Sequence, residues 1–112
     1  MKQIGFDFLN SNEMAEIEVE GKSVLIANIN GTYYAVGNRC PHLMCKLHKG
    51  QLEGTTVKCP CHGSTFDVTN GKLIKWLNSI SNDLVKILRF IGWARDLAVY
   101  TCTKDGQNII IK

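Results

Sequence analysis

Apolar and polar residues alternate through most of this chain. Ile4, Phe6 and Phe8 alternate with small or polar neighbours, and Ala15, Ile17 and Val19 alternate with Glu16, Glu18 and Glu20. A period of two reads as half-buried strand, with one face to a core and the other to water. Glu20-Gly21-Lys22 then reverses the chain. Residues 23–29 and 32–36 flank Asn30-Gly31, a pair that accepts positive φ at both positions of a type I′ turn and so predicts a two-residue hairpin. Val57, then residues 66–68 and 73–74 around Asn70-Gly71, predict short strands. Residues 97–103 and 108–111 predict a closing hairpin across Lys104-Asp105-Gly106. The pattern is that of an all-β, antiparallel domain over residues 1–112, with a small subdomain inserted at about 38–68.

Residues 76–95 break the period. Leu77, Ile80, Leu84, Ile87, Leu88 and Ile91 recur at helical spacing, with Asn82, Lys86 and Arg89 on the opposite face. Ser79 or Ser81 can cap the start, and Gly92 can take the left-handed conformation after the last turn. A helix over about 80–91 is the expectation. Its stripe of Leu84, Ile87, Leu88 and Ile91 either packs on the domain's own sheet or docks a redox partner or a second copy. A third option is an interfacial helix at a membrane surface, using Lys86, Arg89, Phe90 and Trp93, but its basic face is thin.

Composition narrows the class. With 112 residues, 45% of them hydrophobic, the chain can build one core, although a domain of this size gains from a staple or a metal. A net charge of +3, scattered along the sequence, is too mild to argue for nucleic acid. The amino-terminal residues are charged and alternating, and no stretch approaches the roughly 18 apolar residues that a membrane helix needs. The expectation is a soluble, cytoplasmic protein. No Ser-His-Asp set, phosphate loop or carboxylate pair is present, so nothing argues for an enzyme acting on a substrate.

The chemistry lies in two segments, Cys40-Pro41-His42 and Cys59-Pro60-Cys61-His62, 16 residues apart. They offer soft thiolates and imidazoles from two loops, which is a metal site. Zinc also takes Cys2His2 sets, but there each pair of ligands usually comes from one residue type. Here each loop contributes one Cys and one His, which favours a [2Fe-2S] cluster held by Cys on one iron and His on the other. A zinc-stabilised interaction module is the alternative.

The full run, Cys40-Pro41-His42-Leu43-Met44-Cys45 and then Cys59-Pro60-Cys61-His62-Gly63-Ser64-Thr65-Phe66-Asp67, resembles the Rieske family over roughly residues 24–76 and the final hairpin. The resemblance implies a Rieske-type β-sandwich with an inserted cluster-binding subdomain. It also implies that Cys40 and Cys59 bind one iron, and His42 and His62 the other through Nδ1, with their remaining nitrogens facing outward. Neutral imidazoles leave the core less negative than four thiolates would, which raises the potential from about −400 mV to roughly −150 to +300 mV. Cys45 and Cys61 match the pair that forms a disulfide in high-potential members, two thiols beside the cluster being the alternative. Reducing cytosol disfavours such a bond, and shielding beside the cluster reconciles the two. Ser64 matches a position whose hydroxyl donates to the cluster. Phe66 stands where high-potential members carry a tyrosine, so both residues are expected to tune the potential.

The function implied is that of a soluble Rieske-type ferredoxin, a one-electron carrier that meets a reductase or an oxidase or oxygenase component. The alternative is a subunit or component of an oxygenase or nitrite-reductase-like complex. One departure stands out: a short proline-containing loop usually follows the second ligand segment, whereas this chain has no proline beyond Pro60 and carries residues 76–95 instead. His48, in Leu47-His48-Lys49-Gly50, reads as a surface histidine, and Cys102 as a small buried hydrophobe.

Overall fold

The computed structural model describes residues 2–40, 45–61, 63–75 and 96–112. Among them the structure is antiparallel sheet, with a single 3-10 turn at Leu47–Lys49 and no α-helix. No described helix is long and apolar enough to cross a membrane. The expected helix over 80–91, with its stripe of Leu84, Ile87, Leu88 and Ile91, lies outside the described residues.

The central sheet is built from β2 (Glu13–Val19), β3 (Lys22–Ile29), β4 (Thr32–Gly37) and β9 (Val99–Tyr100), in the order β2-β3-β4-β9. The alternation of β2 is realised as read: Ile17 and Val19 are buried, while Glu16, Glu18 and Glu20 are exposed. Asn30 and Gly31 take φ of 52° and 92°, joining β3 to β4 with Ile29 opposite Thr32. Strand β3 is buried on both faces from Val24 to Ile29, so this sheet is a middle layer.

One outer layer is the sheet β1-β11-β10, formed by β1 (Lys2–Gly5), β11 (Asn108–Ile111) and β10 (Cys102–Asp105). Ile4, Ile109 and Ile111 pack against Ile17, Val19, Val24, Ile26 and Tyr33 of the central sheet. The other layer is a smaller sheet of β5 (Gln51–Glu53), β6 (Thr56–Lys58), β7 (Thr65–Asp67) and β8 (Leu73–Lys75). Its Val57 and Phe66, cross-strand partners, join Leu25, Ala27, Val36 and Leu47 in a second core on the opposite face of β3.

Three expectations shift. Phe6 and Phe8 do not continue the first strand: the chain turns after Gly5, with the Phe8 N–H donating to the Gly5 carbonyl, and both rings are substantially exposed. Phe6 leans instead on Tyr33, its ring centroid 6.2 Å away, with the Lys104 ammonium 4.4 Å above it. Val68 is buried but lies in a turn, because the Asp67 carboxylate caps the backbone N–H of Thr69 and closes the strand. The closing segment is two strands: β9 pairs with β4 and β10 with β11, the chain changing sheets at Thr101, which exchanges two backbone bonds with Lys112. Finally, Leu97 N–H donates to the Gly71 carbonyl and Leu73 N–H to Asp96 Oδ1, both at 2.8 Å, so the chain returns from residue 96 beside the end of the small sheet.

Candidate metal centre

Both cysteine segments leave the sheets at hydrogen-bonded bases. After β4, Arg39 forms an antiparallel bridge with Lys46, and the Cys40 N–H donates to the Cys45 carbonyl at 2.8 Å. The chain therefore leaves and re-enters at adjacent points. Lys58 pairs with Thr65 at the end of β6 and β7, after which the Cys59 N–H donates to the Ser64 carbonyl at 2.7 Å. Gly63, at φ 77°, donates back to the Cys59 carbonyl. That left-handed conformation costs a side-chain-bearing residue energy and costs glycine little.

A disulfide between Cys45 and Cys61, with Cα atoms 6.6 Å apart, ties the two segments together. Cys40 and Cys59 stay outside it, both buried and both in the apolar cluster with Leu47, Val57 and Phe66. The sulfurs of Cys45, Cys59 and Cys61 lie within 4.8 Å of one another. Two of the three are spent in the disulfide, so of these Cys59 alone keeps its thiol. The cysteines of the two segments that lie outside the disulfide are Cys40 and Cys59, one from each segment. Ser64, fully buried, closes the second segment through its backbone. Phe66 is a core ring, without exposure. His42 and His62 lie outside the described residues.

This arrangement fits an iron-sulfur group. Two cysteine sulfurs lie in an apolar interior on loops that a covalent bond keeps together, an environment suited to holding a thiolate-bound metal. By contrast Cys102, half-buried in β10 of the outer sheet, stands apart from these cysteines, and burial pushes its thiol up to about 11.

Two residues at the site carried no local signal. Asn38, fully buried at the end of β4, bonds both the backbone and the side chain of His48. His48 is therefore half-buried and bonded rather than a free surface residue. A Cβ on Gly50 would collide with the Lys58 carbonyl oxygen, so only glycine lets the 3-10 turn pass over β6. Beside this network Glu16 bonds Lys46 at 2.7 Å and accepts from Ser23 at 2.5 Å, and these partners hold its carboxyl at about 2.

Comparison with known proteins agrees with this geometry. A family model described as the Rieske [2Fe-2S] domain matches residues 6–88. The chain is 38% identical over 58 residues to the ferredoxin component of the naphthalene 1,2-dioxygenase system of Pseudomonas putida, covering 52% of this chain and 56% of that protein. It is 37% identical over 81 residues to apoptosis-inducing factor 3 of Homo sapiens, covering 70% of this chain but 13% of that protein. The chain thus spans from about an eighth to just over half the length of these relatives. Among solved structures, the ferredoxin of carbazole 1,9a-dioxygenase from Nocardioides aromaticivorans superposes with a TM-score of 0.79 at 20% identity, over 99% of this chain and 94% of that one.

Proposed function

The chain belongs to the Rieske [2Fe-2S] domain family, and from that premise we propose that it is a one-electron carrier whose cluster is held by Cys40 and Cys59 on one iron and His42 and His62 on the other. When bound, such a cluster accepts and returns a single electron at a potential raised by its imidazole ligands. The observation that carries the reading is the pair of buried thiols outside the disulfide, one on each of two covalently joined segments. Cys40 and Cys59 anchor from the apolar interior, and Phe66 and Leu47 exclude water behind them. The backbone bonds of Cys40 and Cys59 hold both anchors in place before any ligand arrives.

The partners we propose are a reductase and an oxidase or oxygenase component. The likeness to the naphthalene dioxygenase ferredoxin component supports that choice. It equally supports a role as one component of an oxygenase system rather than a free-standing carrier, and copurification of a stable complex would favour that role. We place the carrier in the cytoplasm, a setting that cell fractionation tests.

The purified protein should be brown and contain two irons and two sulfides per chain, with a Rieske-type electron paramagnetic resonance spectrum on reduction. A colourless protein with one zinc would sink the proposal.

A further inference from the structure

Asn38 lies two residues before Cys40, and its side chain is fully buried. Its backbone N–H donates to the Ser23 carbonyl at 3.2 Å, and its carbonyl accepts from the Leu47 N–H at 2.7 Å. The side-chain oxygen accepts from the His48 backbone N–H at 2.9 Å. A backbone N–H can only donate, so this bond fixes which end of the amide is oxygen. The amide nitrogen therefore donates on the other side, to Ser23 Oγ at 3.0 Å and His48 Nδ1 at 2.9 Å, with Glu16 Oε2 at 3.4 Å.

The tautomer of His48 follows from the same logic. Nδ1 must accept, so the ring proton sits on Nε2. Ser23 in turn donates to Glu16, whose carboxylate also holds Lys46. Thus β2 through Glu16, β3 through Ser23, and the returning chain through His48 meet at one buried side-chain amide, while Leu47 bonds the Asn38 backbone carbonyl and Lys46 is held by Glu16.

We propose that Asn38 is a positioning residue for the metal centre, clamping both ends of the first ligand segment to the central sheet, with His48 as the acceptor that locks the clamp. Cys40 and Cys45 lie between the two clamped points, so the placement of the Cys40 sulfur depends on this network. The backbone rungs at Arg39–Lys46 and Cys40–Cys45 close the base of the segment but do not tie it to β2. Groups that orient ligands from behind tune a metal centre strongly. The proposal rests on the cluster reading above.

The test compares His48→Leu, His48→Asn and Asn38→Asp in the full chain, with iron content measured for each. Leucine removes the acceptor. Asparagine places a carbonyl oxygen near the position of Nδ1 and should restore it, whereas Asn38→Asp replaces the donor by an acceptor facing Glu16. We expect His48→Leu to keep its cluster while changing the reduced-to-oxidised ratio at the wild-type midpoint at least threefold, about 30 mV for one electron. Its resonance line shape should also move, and the Cys40 and Leu47 amides should exchange hydrogen faster. His48→Asn should return all three readouts towards wild type, and Asn38→Asp should exceed His48→Leu. If the loaded variants melt earlier yet keep the wild-type midpoint and line shape, the network is only a fold staple and the proposal fails. Should Asn38→Asp not fold, the His48 pair decides alone. Wild-type protein that binds no cluster would overturn the cluster reading first, and this inference with it.

Discussion

The central sheet and the small sheet solve the same packing problem at different scales. Strands β2, β3 and β4 run seven, eight and six residues, and β3 buries both faces. The strands β5 to β8 run three residues each. Long alternating strands can be stabilised by apolar burial and continuous ladders alone. A sheet of three-residue strands buries too little for that, and here it is supplemented by Phe66, a disulfide and polar clamps. The sheet that frames the second cysteine segment is thus the one least able to hold itself. The difference teaches where a substitution should be felt as lost stability and where as lost chemistry.

The sharpest division comes from the thiols. Cys59→Ser or Cys40→Ser should abolish cluster binding, read as iron per chain, while the circular dichroism of the central sheet persists. Retention of a full, spectrally unchanged cluster would refute the ligand assignment. Next come the two cores. Phe66→Ala on the small sheet and Ile26→Ala on the face of β3 towards the outer sheet should destabilise by about 3–5 and 2–5 kcal/mol in denaturant titration. Only Phe66→Ala should also lower iron content, since only that core contains Cys40 and Cys59. Equal iron loss in both variants would erase the distinction between platform and ligand sheet.

Cys61→Ser opens the link between the two ligand segments, whose sequence separation is 16. Chain entropy puts the loss at about 3 kcal/mol. The cluster should become more labile to chelators as well, which a stopped-flow bleaching rate would report.

Ser64→Ala is smaller and changes chemistry rather than fold. If the hydroxyl donates to the cluster, its loss should lower the potential by roughly 60 mV, corresponding to about 1.4 kcal/mol. We expect the wild type at about 0 to +200 mV, inside the span of such centres. Voltammetry below −100 mV would contradict that placement.

The smallest effect concerns Glu16, whose carboxyl is held at about 2 by Lys46 and Ser23, against an ordinary 4.5. A lowered folded-state value contributes stability above about pH 4.5 that disappears as pH falls towards 2. Glu16→Gln should therefore flatten the acid limb of the melting curve over that interval. The same acid slope in both proteins would show that the pairing is inert.

Much of this architecture was legible because its signals are local. Asn30-Gly31 specified its hairpin through φ alone, and Ile17 and Val19 declared their face by alternation. The cysteine segments were equally plain, and the Cys45–Cys61 pairing followed from family resemblance rather than from spacing. What escaped depends on distant neighbours. The change of sheet at Thr101 is decided by Lys112, and the turn after Gly5 leaves Phe6 to lean on Tyr33, in another strand. Asn38 looks like any loop asparagine until Glu16 and Ser23 arrive from two other strands. Gly50 matters only because the Lys58 carbonyl passes where its side chain would be.

The two bonds that join Gly71 to Leu97 and Leu73 to Asp96 have a consequence for the length of chain they enclose. They fasten the flanks of residues 76–95 side by side using groups outside that span. The entropy of closing a loop rises by only about 0.6 kcal/mol for each doubling of its length. By that measure chain closure itself sets little limit on the number of residues between the two flanks. The end of the small sheet is thus joined to the chain entering the central sheet by bonds that do not draw on that span.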